Sequence, residues 1–164
     1  MRVVIGLGGN LGDVRAAFAR ALAALERATR ALAYSGVWRS APVGPAQPDF
    51  LNAAVVVEAG LHPRALLALC RELEGAAGRD RAREERWGPR PLDLDLLIAP
   101  GLVVESGDLV LPHARLAERR FALAPAAEVA PDWVHPRVHR TLADLAAAPE
   151  IAAQRCDRIG ELLA

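Results

Sequence analysis

The residues most able to do chemistry lie together in one short stretch, Arg86 to Leu97, which reads RWGPRPLDLDLL. Asp93 and Asp95 alternate there with leucines. Alternate side chains of a β-strand share a face, so the two carboxylates point the same way while Leu92, Leu94 and Leu96 point into a core. Their Cα atoms then stand roughly 7 Å apart, close enough for the pair to hold one or two hard divalent cations. Mg²⁺ is the natural occupant, because it takes only one or two protein carboxylates and completes its octahedron with water and substrate phosphate oxygens. Taken alone, D-x-D fits an exposed strand face equally well. Like charges side by side on a strand nevertheless call for a counterion.

Arginines supply a second ingredient. Arg79, Arg81, Arg83, Arg86 and Arg90 fall within twelve residues, broken by Asp80, Glu84 and Glu85. A mixed run of this kind is commonly a solvated, self-neutralised loop. Its place directly before the acidic pair suggests another use, since a guanidinium stays charged and offers a planar donor fork that can follow phosphate oxygens through a reaction. Gly88-Pro89-Arg90-Pro91 stiffens the chain so that Arg90 stays near the carboxylates.

Trp87, Phe50 and Phe121 would each serve as ordinary core residues. Trp87, however, sits in a charged loop, and Phe50 follows the breaker-rich SAPVGPAQPD, places where a flat heterocycle fits between rings. Asn52, two residues on from Phe50, shares its strand face, and an amide in an apolar strand needs a hydrogen-bonding partner. His113, in LPHARL, reads either as a phosphate donor or as a surface histidine.

The elements that must position these groups can be read around them. RVVIGL (residues 2–7) reads as a buried strand. GLGGNLGD then turns into a helix with Asp13 at its start and Val14, Phe18, Leu22 and Leu25 on one face. Its glycines match neither G-x-G-x-x-G nor a P-loop, so it is expected to be a tight turn. A second strand is expected around residues 33–39 and a third, apolar almost throughout, at 50–59. His62-Pro63 opens a helix bearing Leu66, Leu69, Cys70 and Leu73 on one side. After the strand at 92–98 come short strand pieces at 102–104 and 109–111, short helices at 115–124 and 125–129, and a helix capped by Thr141. Residues 150–164 are expected to form a loosely packed tail. The order favours an α+β sandwich with antiparallel pairing over a doubly wound sheet.

Length and composition agree with one domain spanning residues 1–164. The chain is 52% apolar with a formal net charge of zero. All twenty basic residues are arginine, yet the balanced charge argues against a general nucleic-acid binder. No run is long enough for a membrane span, there is no secretory layout, and the two cysteines form no C-x-x-C. The expectation is a cytoplasmic monomer.

Taken together, IGLGGNLGD, WRSAPVGPAQPDFLNAAV, LEGAAGRDRAREERWGPRPLDLDLL and LPHARLAERRFALAPAAEVAP resemble, in the same order, the 6-hydroxymethyl-7,8-dihydropterin pyrophosphokinase family of folate biosynthesis. The resemblance implies a ferredoxin-like sandwich with a largely antiparallel sheet flanked by helices. It also implies transfer of diphosphate from ATP to the pterin hydroxymethyl group, releasing AMP; ATP is expected to bind first because its Mg²⁺ must complete the site. It carries Asp93 and Asp95 over as ligands of two Mg²⁺ ions, and Arg79 and Arg90 as the catalytic arginines. Glu74, Arg81, Trp87, Arg90, His113 and Arg119 carry over as ATP contacts. Ser40, Ala41, Val43, Phe50, Asn52, Trp87 and Phe121 carry over as the pterin pocket. The loop length leaves two assignments open for the arginine pair, Arg79 with Arg81 or Arg81 with Arg83. Ala41, Asp108 and Ala114 depart from the family pattern. The residues alone would also fit another Mg²⁺-dependent nucleotide transferase or a non-enzymatic RNA-binding domain.

Overall fold

The computed structural model describes residues 1–163. The chain forms, in order, β1 (Arg2–Gly9), α1 (Val14–Leu25), β2 (Arg30–Tyr34), β3 (Gly36–Ser40), β4 (Phe50–Glu58), α2 (Pro63–Ala76), β5 (Asp93–Ile98), β6 (Val104–Ser106) and β7 (Leu109–Leu111). It continues with a 3-10 turn (Leu116–Glu118), α3 (Arg120–Val129), β8 (Val134–His135), β9 (Arg140–Thr141), α4 (Leu142–Ala147), α5 (Pro149–Ala152) and β10 (Cys156–Glu161). The main sheet has six strands in the order β10-β3-β4-β1-β5, with β2 on the same edge of β4 as β3. Every pairing in it is antiparallel. This is the expected α+β arrangement.

The sheet buries both faces, and β1 shows why. Val3, Ile5 and Leu7 face α1 and α2, meeting Phe18, Leu22, Leu66, Cys70 and the three leucines Leu92, Leu94 and Leu96. Val4 faces the other way, into a second core with Ala54, Val56, Leu123, Leu142, Leu145 and Ile151. A strand covered on both sides reads as a continuous apolar run, as RVVIGL does. The helix starts follow the expected chemistry. Asp13 accepts from the Ala16 amide at α1, His62 caps α2 ahead of Pro63, and Thr141 accepts from the Asp144 amide at α4. Among the described residues no helix is long and apolar enough to cross a membrane.

The structure corrects the expectation in several places. The single strand expected at 33–39 is two, bent at Ser35. The Ser35 hydroxyl takes the Ala54 amide at 2.8 Å, filling the place of a ladder partner at the corner. The break expected before Pro125 does not occur. Pro125 lies inside α3, and burial of Leu123, Ala124 and Ala126 outweighs a proline cost of about 3 kcal/mol. The glycine-rich stretch is not a tight turn throughout, because β1 runs on through Gly6, Gly8 and Gly9. Within the range 150–164 the tail is not loose. Ile151 and Cys156 are buried, and β10 pairs with β3, Cys156 opposite Ser40. Ala164, the last residue of that range, lies outside the described residues.

Candidate active site

The cavity lies on the α3 side of the sheet, where three strands lie next to one another. Gly8 of β1 is paired with Asn52 on β4 and with Asp93 on β5, and Gly6 with Ala54 and Asp95. Residues paired in an antiparallel sheet share a face, so Asn52, Gly8 and Asp93 form one row and Ala54, Gly6 and Asp95 the next. A side chain at Gly8 would begin 3.8 Å from both Asn52 Oδ1 and the Asp93 Cβ. Glycine here keeps open a floor that any other residue would start to fill. The walls come from Ser40, Ala41, Val43, Phe50, Trp87, Arg90, Arg119 and Phe121, so the cavity brings together eleven residues named from sequence, Asn52, Asp93 and Asp95 included.

Behind Asp93 lies a buried charge network. Glu74 on α2 is almost fully buried, and its Oε1 accepts from the Leu94 amide (2.8 Å) and from Arg79 Nη1 (2.9 Å), while its Oε2 accepts from Arg81 (2.5 Å). Arg79 also donates to both Glu84 oxygens (2.6 and 2.9 Å) and to Asp93 Oδ1 (2.5 Å). Glu74, Arg79 and Arg81 therefore do not line the cavity, although Arg79 touches it through Asp93. Of the two sequence assignments for the arginine pair, the structure gathers Arg79 and Arg81 on Glu74. Arg83 stays at the surface beside Asp80.

Burial, together with the charges of Asp93 and Glu74, raises the Asp95 pKa from 3.8 to about 7. Its folded value lies above the free one, so the native chain holds this proton more tightly than the unfolded chain. The Asp95 contribution to stability therefore falls as pH rises from about 4 to about 7 and is level beyond. The unfolding temperature of the wild type is expected to drop across that window more steeply than that of Asp95→Asn. Thermal melts of both from pH 5 to 8 check this, and parallel curves would contradict it. A cation would relieve the same charge. Among the described residues no three His, Cys, Asp or Glu side chains converge on one point. The donor set is thus two carboxylates, which suits an ion that takes its other ligands from water and substrate.

The loop carrying Arg90 is held firmly. The Asn10 side chain, at the end of β1, accepts from the Arg90 amide (3.0 Å) and donates to Gln47 Oε1 and the Pro48 carbonyl (both 2.9 Å). Gln47 in turn donates to the Trp87 carbonyl at 2.6 Å. Trp87 has a φ of 63°, and its ring lies 5.3 to 5.8 Å from the guanidinium carbons of Arg86, Arg115 and Arg119. Arg90 Nη2 stands 3.2 Å from Glu84 and Nη1 3.6 Å from Asp93. Arg90 Nε is buried without a partner, alone among the described side chains. A buried donor of this kind is costly unless something fills its place. His113 donates its backbone amide to the Leu97 carbonyl and lies just outside the cavity. Burial first, then the charge of Arg119, lowers its pKa and favours the neutral imidazole.

Sequence reasoning missed Gly6, Gly8, Asn10 and Gln47. The glycines carried a readable signal, because glycine repeating every second residue in a β-branched strand marks a close approach. Asn10 and Gln47 act through contacts to distant parts of the chain, and no local pattern announces those.

Carboxylates, guanidiniums and ring-sized apolar walls gathered in one cavity define a class, α+β domains with a charged half-site beside an aromatic pocket. Residues 4–131 match the family model described as 7,8-dihydro-6-hydroxymethylpterin-pyrophosphokinase (HPPK), and the chain belongs to that family. It is 45% identical over 136 residues to the 2-amino-4-hydroxy-6-hydroxymethyldihydropteridine pyrophosphokinase of Methylorubrum extorquens, covering 81% of this chain and 85% of that one. With the protein of the same name from Synechocystis it shares 41% identity over 144 residues, covering 87% of this chain and 73% of the other. The crystal structure of wild-type Plasmodium falciparum HPPK-DHPS superposes with a TM-score of 0.63 at 12% identity, covering 88% of this chain and 44% of that chain. That likeness concerns the fold, which is ferredoxin-like.

Proposed function

We propose that this chain transfers diphosphate from ATP to the hydroxymethyl oxygen of 6-hydroxymethyl-7,8-dihydropterin, giving the pterin diphosphate and AMP. The observation that carries this reading is the row Asn52–Gly8–Asp93, which sets a ring-reading amide next to a phosphate-handling carboxylate with nothing between them. Family membership and the names of the curated relatives support the same reaction.

The residues divide the work. Phe50 and Phe121 form the faces of the ring pocket. Asn52 spends its Nδ2 hydrogens on Ser40 Oγ (2.9 Å) and the Trp38 carbonyl (3.3 Å), leaving Oδ1 to accept from the pterin edge. Arg90, whose Nε has no partner, and Arg119, held over Trp87 and Phe121, both line the cavity and would meet phosphate oxygens there. Asp93 and Asp95 would hold two Mg²⁺ ions, which when bound would supply neutralisation of phosphate charge and polarise the hydroxyl. A bond forms from the hydroxymethyl oxygen to the β-phosphorus as the β-phosphorus bond to the α-phosphate oxygen breaks. Such a transfer depends on positioning and charge stabilisation more than on a strong protein base. Glu74, Arg79, Arg81 and His113 stand in the supporting layer, Glu74 tying Arg79 and Arg81 to the β5 backbone.

Incubation with Mg-ATP and the pterin tests the proposal. AMP formed one-for-one with pterin diphosphate supports it, and ADP or no turnover contradicts it. Replacing Phe121 with alanine is expected to weaken pterin binding about thirtyfold, the scale of one lost ring-stacking partner, with a much smaller change for ATP. Calorimetric titration with each substrate would decide, and equal losses would make Phe121 a core residue instead.

A further inference from the structure

Helix α3 begins at Arg120, one residue before Phe121, and Arg119 at its N-cap position gives no side-chain cap. The first backbone amides of such a helix need acceptors from elsewhere. Gln154 supplies one from 34 residues away, its Oε1 accepting from the Arg120 amide at 2.9 Å while its Nε2 donates to the Glu118 carbonyl at 2.8 Å. Arg120 Nη1 returns the contact, donating to the carbonyls of Ala152 (2.7 Å) and Gln154 (2.8 Å). The next residue, Arg155, forms a bidentate pair with Asp49 at 2.8 and 3.2 Å, and Asp49 immediately precedes Phe50. Cys156 then pairs with Ser40, whose hydroxyl accepts from Asn52.

Three consecutive residues thus each hold one part of the ring pocket, namely the Phe121 wall, the Phe50 wall and the Asn52 edge. All three lie beyond the 4–131 span matched by the family model. We infer that Gln154 and Arg155 are positioning residues for the pterin, setting the spacing of Phe50 and Phe121 from outside the pocket. The inference rests on reading the cavity as a pterin site. Its physical basis is the short range of dispersion, since a gap of about 0.5–1 Å beside a stacked ring forfeits a quarter to a half of the contact. Gln154 also brackets Arg119 through the Glu118 carbonyl and the Arg120 amide, so its loss reaches the nucleotide as well, whereas the Arg155–Asp49 pair touches none of the arginines or carboxylates on the phosphate side and its loss falls on the pterin.

The test uses the full chain with three variants, Gln154→Ala, Arg155→Asp and the swap Asp49→Arg/Arg155→Asp. Affinities for a non-hydrolysable Mg-ATP analogue, and for the pterin in its presence, are measured by calorimetry. Gln154→Ala strands a backbone amide and is expected to raise the pterin Kd about tenfold. Arg155→Asp, at a more exposed pair, is expected to raise it about fivefold, and the swap to bring it back toward the wild-type value. The nucleotide Kd should stay within about twofold in both Arg155 variants. An unchanged pterin Kd in Gln154→Ala, an equal loss for both ligands in Arg155→Asp, or a swap that restores nothing would overturn the inference. Because the Arg155 side chain is 58% exposed, its variants keep the inference testable even if Gln154→Ala does not fold. A wild type that binds the nucleotide analogue but no pterin would instead overturn the functional reading, before any variant is compared.

Discussion

Asp95→Ala is expected to lower turnover by about a thousandfold or more while leaving the protein folded. The carboxylate faces the cavity and is paired across the sheet with Gly6, so its loss opens space without disturbing the leucines on the opposite face. Desolvation and the neighbouring charges of Asp93 and Glu74 make this acid unfavourable in the native state, so alanine should keep or raise the unfolding temperature at neutral pH. Loss of activity with a gain of stability is the signature of a residue kept for chemistry. Steady-state rates at saturating ATP and pterin, set beside thermal melts, provide the check. Turnover within about tenfold of wild type would remove Asp95 from the phosphate site.

The second large effect is expected at Arg90. Arg90→Ala should reduce kcat by about a thousandfold, within the range found when a transition-state arginine is lost in phosphoryl transfer, with a smaller change in nucleotide Kd. The comparison with Arg79 makes the reasoning specific. Arg79 donates to Glu74, Glu84, Asp93 and the Leu92 carbonyl and is almost wholly buried, as a group that holds the fold would be. Arg90 has looser partners, lines the cavity and leaves its Nε unpartnered. Lysine at position 90 should recover little, because a point charge cannot reproduce the planar fork. Single-turnover rates would separate chemistry from binding, and a loss confined to ATP affinity would count against a catalytic role for Arg90.

Much of this site could be read from the sequence because its main parts lie on strands. Asp93 and Asp95 had to share a face once Leu92, Leu94 and Leu96 were assigned to the core, and Phe50 and Asn52 followed from the same two-residue period. Trp87 and Arg90 could be placed because prolines and a glycine fix the loop around them. The parts that stayed hidden depend on contacts far along the chain. Asn10 meets Arg90 across 80 residues and Arg155 meets Asp49 across 106, and neither pair leaves a local pattern. Strand β10 was missed for a different reason. CDRIGE buries only Cys156 fully, so the alternation that reveals a strand is almost absent at this edge of the sheet. Ser35, which splits one expected strand into two, acts through a hydroxyl bond that residue type alone does not disclose.

Strand β10 also bears on how the protein matures during synthesis. Its partner β3 is made more than a hundred residues earlier, and until Cys156–Glu161 leaves the ribosome one edge of β3 has no neighbour. The nascent chain can assemble much of both cores and the carboxylate row, yet it carries an open strand edge and an uncapped α3 until that segment emerges. Completion of this cavity wall therefore waits for the segment from Gln154 to Glu161 to emerge. A stalled chain that stops short of Gln154 would hold the carboxylate row beside an unfinished aromatic wall.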